Sequence, residues 1–252
     1  MRLLLIRHAQ SVNNAQAPNS TAEHVPDAPL TPLGHQQAAH LAAFIQHDFA
    51  SSKRQHELRE DSRLSVYQFN ELYTSPMQRT LQTTHALTQL LNISATIHPD
   101  IYERGGAYHE RNIDGQLVSY GVPGLNADAM RAICANLIVT DAVTSAGWWL
   151  SGLQETPDHY EERVFRVAQQ IREWATGEKR HASIAFVTHG AFSNALMQAL
   201  LLGVLVPRTL FGRTLIAKYN ASASCLDFDH DGTPTLRYAS RTDHLAPGMV
   251  TA

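Results

Sequence analysis

Two runs of apolar residues, RLLLI at 2–6 and SIAFV at 183–187, lack the apolar–polar alternation of a strand with one wet face. Continuous runs of this length predict parallel strands covered by helices on both sides. Between and after them the pattern alternates. Thr31-Pro32 predicts the start of a helix reaching to about residue 49, and a strand is expected at 71–74. Ser75 then reads as an N-cap and Pro76 as the first residue of a helix over 76–91, followed by a strand at 95–98. A helix over 157–175 leads into the strand at 183–187, and Gly190 opens another over 191–202. The remaining strands are expected at 216–220, 224–228 and 235–239, the last two joined by the turn Asp229-His230-Asp231-Gly232 as an edge hairpin. Alternation of this kind predicts an α/β fold, a three-layer α/β/α sandwich with a mostly parallel central sheet.

Two stretches break the rhythm. Residues 51–65, SSKRQHELREDSRLS, are charged and poor in core residues, and read as a surface insertion. Residues 105–158 carry Gly121, Pro123, Gly124, a helical pattern near 127–138 and the pair Trp148-Trp149. The 252 residues with 44% hydrophobic content are enough for one domain spanning 1–252.

A net charge of −3 gives no support for nucleic-acid binding. The apolar run at 3–6 is too short for a leader or a span, and 195–206 is interrupted by Gln198 and Gly203, so a soluble, cytoplasmic protein without a membrane partner is expected. Cys134 and Cys225 lie far apart and read as buried thiols rather than a disulfide. His35, His40, His47, His56, His85 and His98 are scattered without ligand spacing, and Asp229-His230-Asp231-Gly232 lacks a calcium-loop pattern. The sequence does not set the oligomeric state.

The chemistry is concentrated at strand ends. In an open α/β sheet ligands bind beyond the carboxyl ends of the strands, where the first run delivers Arg7-His8 and the later one Thr188-His189-Gly190. Two imidazoles are therefore expected in one cleft. Arg7 adds a planar guanidinium suited to phosphate oxygens, and Arg79 adds a second from the first turn of a helix, near its positive end. Gly190 allows close backbone approach and opens a helix whose N-terminus can face an anion. The pattern points to phosphate chemistry carried on histidine.

The segments LLIRHAQSVNN, LTPLGHQQA, LYTSPMQRTLQTT, IYERGG and FVTHGAFSNALMQALL, in this order, resemble the histidine phosphatase superfamily in its phosphoglycerate-mutase-like branch. The resemblance implies that His8 attacks phosphorus and holds it as a phosphohistidine, while Arg7, Arg79 and His189 bind the phosphoryl oxygens with Gly190 beside them. It implies that Glu103 donates the proton, with Glu110 as the alternative, and that Asn14, after Ser11, contacts phosphate. No metal or other cofactor is then required. The segment at 105–158 becomes a lid that selects the substrate, with Gln10, Arg104, Tyr108 and Arg111 as candidates to touch the rest of a small phosphorylated molecule. The motif usually reads R-H-G-E but here reads Arg7-His8-Ala9-Gln10, which asks whether the backbone at residue 9 needs a positive φ.

The resemblance implies a phosphomonoester hydrolase of the histidine acid phosphatase type acting on a small phosphorylated metabolite. The alternatives are a phosphoglycerate-type mutase and a catalytically weak phospho-ligand binding protein. Mutases usually extend the glutamate loop as E-R-H-Y-G-x-L, whereas Glu103-Arg104-Gly105-Gly106-Ala107-Tyr108 stands here, which favours hydrolysis.

Overall fold

The computed structural model describes residues 1–16, 24–56, 67–114, 116–205, 216–217 and 219–252. Seven strands form one sheet in the order β6-β3-β2-β7-β1-β8-β9. They are β1 (Arg2–Arg7), β2 (Glu71–Thr74), β3 (Ala95–Ile97), β6 (Leu137–Ile138), β7 (Ser183–Thr188), β8 (Ala223–Phe228) and β9 (Pro234–Arg241). The first five in that order pair in parallel, and β8 and β9 add antiparallel ladders at one side. A separate hairpin, β4 (Tyr108–Ile113) and β5 (Gln116–Gly121), stands apart from the sheet.

The apolar runs explain the layers. Along β1, Leu4 and Ile6 join one core with residues of α1 (Pro32–His56), α2 (Gln78–Leu91) and α3 (Ala127–Ile133). Leu3 and Leu5 join the other, with residues of α4 (Pro157–Thr176) and α5 (Gly190–Leu202). Strand β7 splits the same way, Ala185 and Val187 to one side and Ile184 and Phe186 to the other. Both faces of the central strands are thus dry, and each buried Leu, Ile, Val or Phe among them contributes about 1.5–3 kcal/mol.

Several boundaries differ from the sequence reading. The helix expected to stop near residue 49 continues to His56, so 51–56 are helical and the rest of the charged insertion lies outside the described residues. The predicted strand at 216–220 is absent at its described positions, where the chain turns at Asn220 into β8. The stretch at 127–138 is helical only to Ile133, and Leu137–Ile138 then pairs with β3 at the sheet edge. Part of the expected lid is therefore sheet. Both cysteines are buried and free. Among the described residues, no helix is long and apolar enough to cross a membrane.

Candidate active site

Strands β1 and β7 lie side by side with Arg7 opposite Thr188, so the residues that follow are delivered together. The rings of His8 and His189 sit 5.1 Å apart between centroids, tilted by 59°, and both are buried. The His8 backbone is held on both flanks: its amide donates to Thr188 O at 2.9 Å, and the Ala221 amide donates to His8 O at 3.1 Å.

Hydrogen bonding fixes the form of His8. Its Nδ1 lies 2.7 Å from the Ala9 carbonyl oxygen, which can only accept, so Nδ1 carries the hydrogen. The lone pair is left on Nε2. Arg79 Nε donates to that atom at 3.2 Å. For His189, Nε2 lies 2.8 Å from Ser75 Oγ, and Nδ1 is buried with no hydrogen-bond partner among the described residues. Ser75 is thus not the side-chain cap of α2. The helix begins at Gln78 with Met77 at its N-cap, and the Gln78 amide is met at 2.7 Å by Asp27 Oδ1 from the loop between β1 and α1.

Burial governs the charges. It pushes both imidazoles well below the usual histidine range, and for each the next cause is the Arg79 guanidinium. Burial also lowers Arg7 to about 10, with Glu103 opposing the shift and Arg79 adding to it. At neutral pH the two imidazoles are therefore uncharged and the two guanidiniums charged. Burial raises Asp27 to about 6, with Arg79 and the Gln78 amide opposing the shift.

Glu103 reaches the same region from the loop after β3. Its Oε2 accepts from the Ala191 amide at 3.1 Å, and its Oε1 from Phe192 at 3.1 Å and from Arg104 at 2.9 Å. It therefore occupies the positive end of α5, where the sequence reading expected a bound anion. Glycine is required nearby. Gly106 has φ +73°, and a Cβ there would lie 2.6 Å from Trp149 Cζ2. Trp148 and Trp149 in turn pack on Tyr102, at 5.3 and 5.2 Å between centroids.

The remaining candidates divide. Asn14 Oδ1 accepts from Ser11 Oγ at 3.0 Å and from Asn220 Nδ2 at 3.0 Å, which holds its amide in the loop after His8. Gly190 is the first residue of α5, directly after His189. Tyr108 stacks on His24 at 5.1 Å, and with Arg104, Gly105, Gln154, Tyr160 and Glu161 it lines a cavity of about 580 Å³. Gln10 does not join the cluster. Its Oε1 accepts from Thr31 Oγ1 at 2.7 Å, at the start of α1. Arg111 is exposed on β4 over Tyr120, at 5.5 Å to the ring, away from the two histidines' contacts. Glu110, the alternative acid, accepts from Ser119 Oγ at 3.3 Å within the same hairpin. Ala9 is buried at a backbone angle outside the positive-φ region, so glycine is not needed there.

The carboxyl ends of β1 and β7, with two imidazoles and Arg7 from the strand ends and Arg79 from α2, define an α/β protein with a histidine-centred basic cluster. The chain belongs to the histidine phosphatase superfamily (branch 1), whose family model matches residues 3–116 and 124–241. No match to a curated protein was found. Among solved structures it is similar to an alanine variant of phosphoserine phosphatase from Entamoeba histolytica in complex with phosphoserine, at 19% identity and TM-score 0.56 over 97% of this chain and 99% of that one. It is also similar to the alpha-ribazole phosphatase from Shigella flexneri, at 18% and 0.54 over 96% and 97%. A mycobacterial glucosyl-3-phosphoglycerate phosphatase in complex with VO3 matches at 19% and 0.54 over 95% and 98%. At these identities the likeness speaks to the fold.

Proposed function

We propose that the protein is a phosphomonoester hydrolase that acts on a small phosphorylated metabolite without a metal, through a phosphohistidine on His8. The observation that carries this reading is the state of His8. Its proton is held on Nδ1 by a carbonyl, and its Nε2 lone pair faces a guanidinium in a buried setting that keeps the ring neutral. A neutral imidazole flanked by fixed positive charge is a nucleophile for a phosphoryl dianion.

In the reaction so read, a phosphoryl oxygen takes over the Arg79 Nε–H that rests on His8 Nε2, which frees the lone pair. Nε2 then forms its bond to phosphorus as the ester P–O bond breaks. Arg7, Arg79 and Nδ1 of His189 bind the equatorial oxygens, and Glu103 gives its proton to the departing alkoxide. The Glu103 carboxylate next takes a proton from water. The hydroxide attacks phosphorus, the P–N bond breaks, and phosphate leaves. Glu103 suits the acid role by position, since its carboxyl group meets the Ala191 and Phe192 amides directly after His189. The cavity beside Tyr108 and Arg104 offers room for the alcohol part of the substrate. That the similar solved structures are named as phosphatases supports hydrolysis over mutase chemistry.

The test is release of inorganic phosphate from a panel of phosphorylated metabolites, with EDTA present throughout. Phosphate release is expected to persist in EDTA. Loss of activity that is restored by a divalent cation, or phosphoryl transfer between hydroxyls without release, would sink the reading. Glu103→Gln is expected to lower kcat/KM for alkyl phosphates about 10²-fold or more, the usual worth of a general acid.

Inorganic phosphate itself should stabilise the fold, since it neutralises two buried guanidiniums. At a hundred times its Kd the gain is about 2.7 kcal/mol, or a Tm rise of several degrees for a chain of this size. Calorimetry against chloride at equal ionic strength checks this. An unchanged Tm at saturating phosphate would contradict the anion site.

A further inference from the structure

Arg163, on α4, has a side chain only 2% exposed and forms a two-pronged ion pair with Glu155, itself 2% exposed, at 2.7 Å from Nε to Oε1 and 2.8 Å from Nη2 to Oε2. A buried pair of this kind is weak evidence for stability, because the cost of desolvating both charges offsets their attraction. Its contacts indicate what else it does. Arg163 Nη1 donates to Asp100 O at 2.8 Å and to Tyr102 O at 3.0 Å, and its guanidinium lies 3.5 Å from the Tyr102 ring centroid. Glu155 Oε1 accepts from Tyr102 Oη at 3.0 Å, and its Oε2 accepts from the Gly105 amide at 3.1 Å. The Glu155 amide donates to Gly105 O at 3.0 Å. All these bonds grip the short loop that carries Glu103. They hold residues 100, 102 and 105, while Glu103 and its carboxylate are left free to meet the start of α5.

We propose that the Arg163–Glu155 pair is a positioning device for Glu103, fixing the loop so that the carboxyl meets the leaving-group oxygen. The inference rests on Glu103 being the proton donor. Its physical basis is that proton transfer requires the donor within hydrogen-bond reach, whereas attack by His8 depends on groups held by β1, β7 and the start of α2. A disturbed loop should therefore damage protonation and spare attack. Lysine cannot replace the arginine, since a single ammonium has no planar fork to serve a carboxylate and two carbonyls together.

The experiment compares an alkyl phosphate, whose leaving group needs a proton, with p-nitrophenyl phosphate, whose leaving group departs unaided. For Arg163→Lys, kcat/KM on the alkyl ester is expected to fall about 10²-fold while that on p-nitrophenyl phosphate stays within about threefold. Adding Glu103→Gln to Arg163→Lys should produce little further loss, since both remove one function. Tyr102→Phe, which keeps the ring and removes only the hydroxyl bond to Glu155, should show the same selectivity at about three- to tenfold, and it decides the matter if Arg163→Lys fails to fold. Equal losses on both substrates, or additive losses in the double variant, would overturn the proposal. If Glu103→Gln alone shows no leaving-group dependence, the acid assignment itself falls. If Glu103→Gln shows that dependence and the Arg163 and Tyr102 variants do not, only the positioning role is lost.

Discussion

Replacing His8 by alanine is expected to reduce kcat by roughly 10⁵-fold, the scale seen when a covalent nucleophile is removed and only binding and charge stabilisation remain. Folding should survive. The ring is buried but its backbone bonds to Thr188 and Ala221 do not depend on the side chain, and alanine keeps the backbone geometry. The variant should still gain thermal stability from phosphate, because Arg7 and Arg79 remain. Wild-type enzyme mixed with a ³²P-labelled ester and quenched in alkaline denaturant should carry label that acid then releases, and the variant none. A His8→Ala protein that turned over at a tenth of the wild-type rate would require another nucleophile and end the phosphohistidine reading.

The second large effect is expected from Arg79→Ala. A guanidinium aimed at a transferring phosphoryl group is worth about 10³-fold or more in kcat. The same substitution should move the pH profile in a defined direction. The His8 imidazole is held below its ordinary value of 6.5 first by burial and then by Arg79 and Arg7. Removing Arg79 takes away one depressing charge, so His8 binds its proton more readily. Attack needs the neutral ring, and the acidic limb of kcat/KM should therefore shift to higher pH in the variant.

Stability follows the same sign. A histidine with a depressed folded value contributes stability that is present above 6.5 and is lost as pH falls below it toward the folded value. In Arg79→Ala that loss should be smaller. Paired measurements of kcat/KM and Tm at acidic and neutral pH check both statements, and an acidic limb that stayed in place would show that Arg79 does not act on His8 through charge.

Much of this arrangement was readable from the chain because its signals are local. A continuous apolar run ending in a basic residue and a histidine names both a central strand and what hangs from its end, and two such runs place His8 beside His189. Glu103 was reached through its loop motif. What stayed hidden depends on contacts between distant segments. Arg163 reads as one more charge on an amphipathic helix, and Glu155 as a polar residue before a cap; only their common burial against residues 100–105 makes them a unit. Asp27 looks like a loop residue until the start of α2 is found resting on its carboxylate. Ser75 fits the rule for a helix cap, yet its hydroxyl is taken by His189, a competition that spacing along the chain does not reveal. The edge strand β6 is two residues long and carries too little pattern to be distinguished from the end of a helix.

The pairing of β1 with β7 has an evolutionary consequence. The separation of the two reactive rings is set by a backbone ladder, and ladders are indifferent to most side-chain changes. On the proposed function, mutations that reshape the hairpin and the wall around Tyr108 would accumulate without retuning the step at phosphorus. New alcohols would then be tried against an unchanged reaction centre, and specificity would drift faster than chemistry.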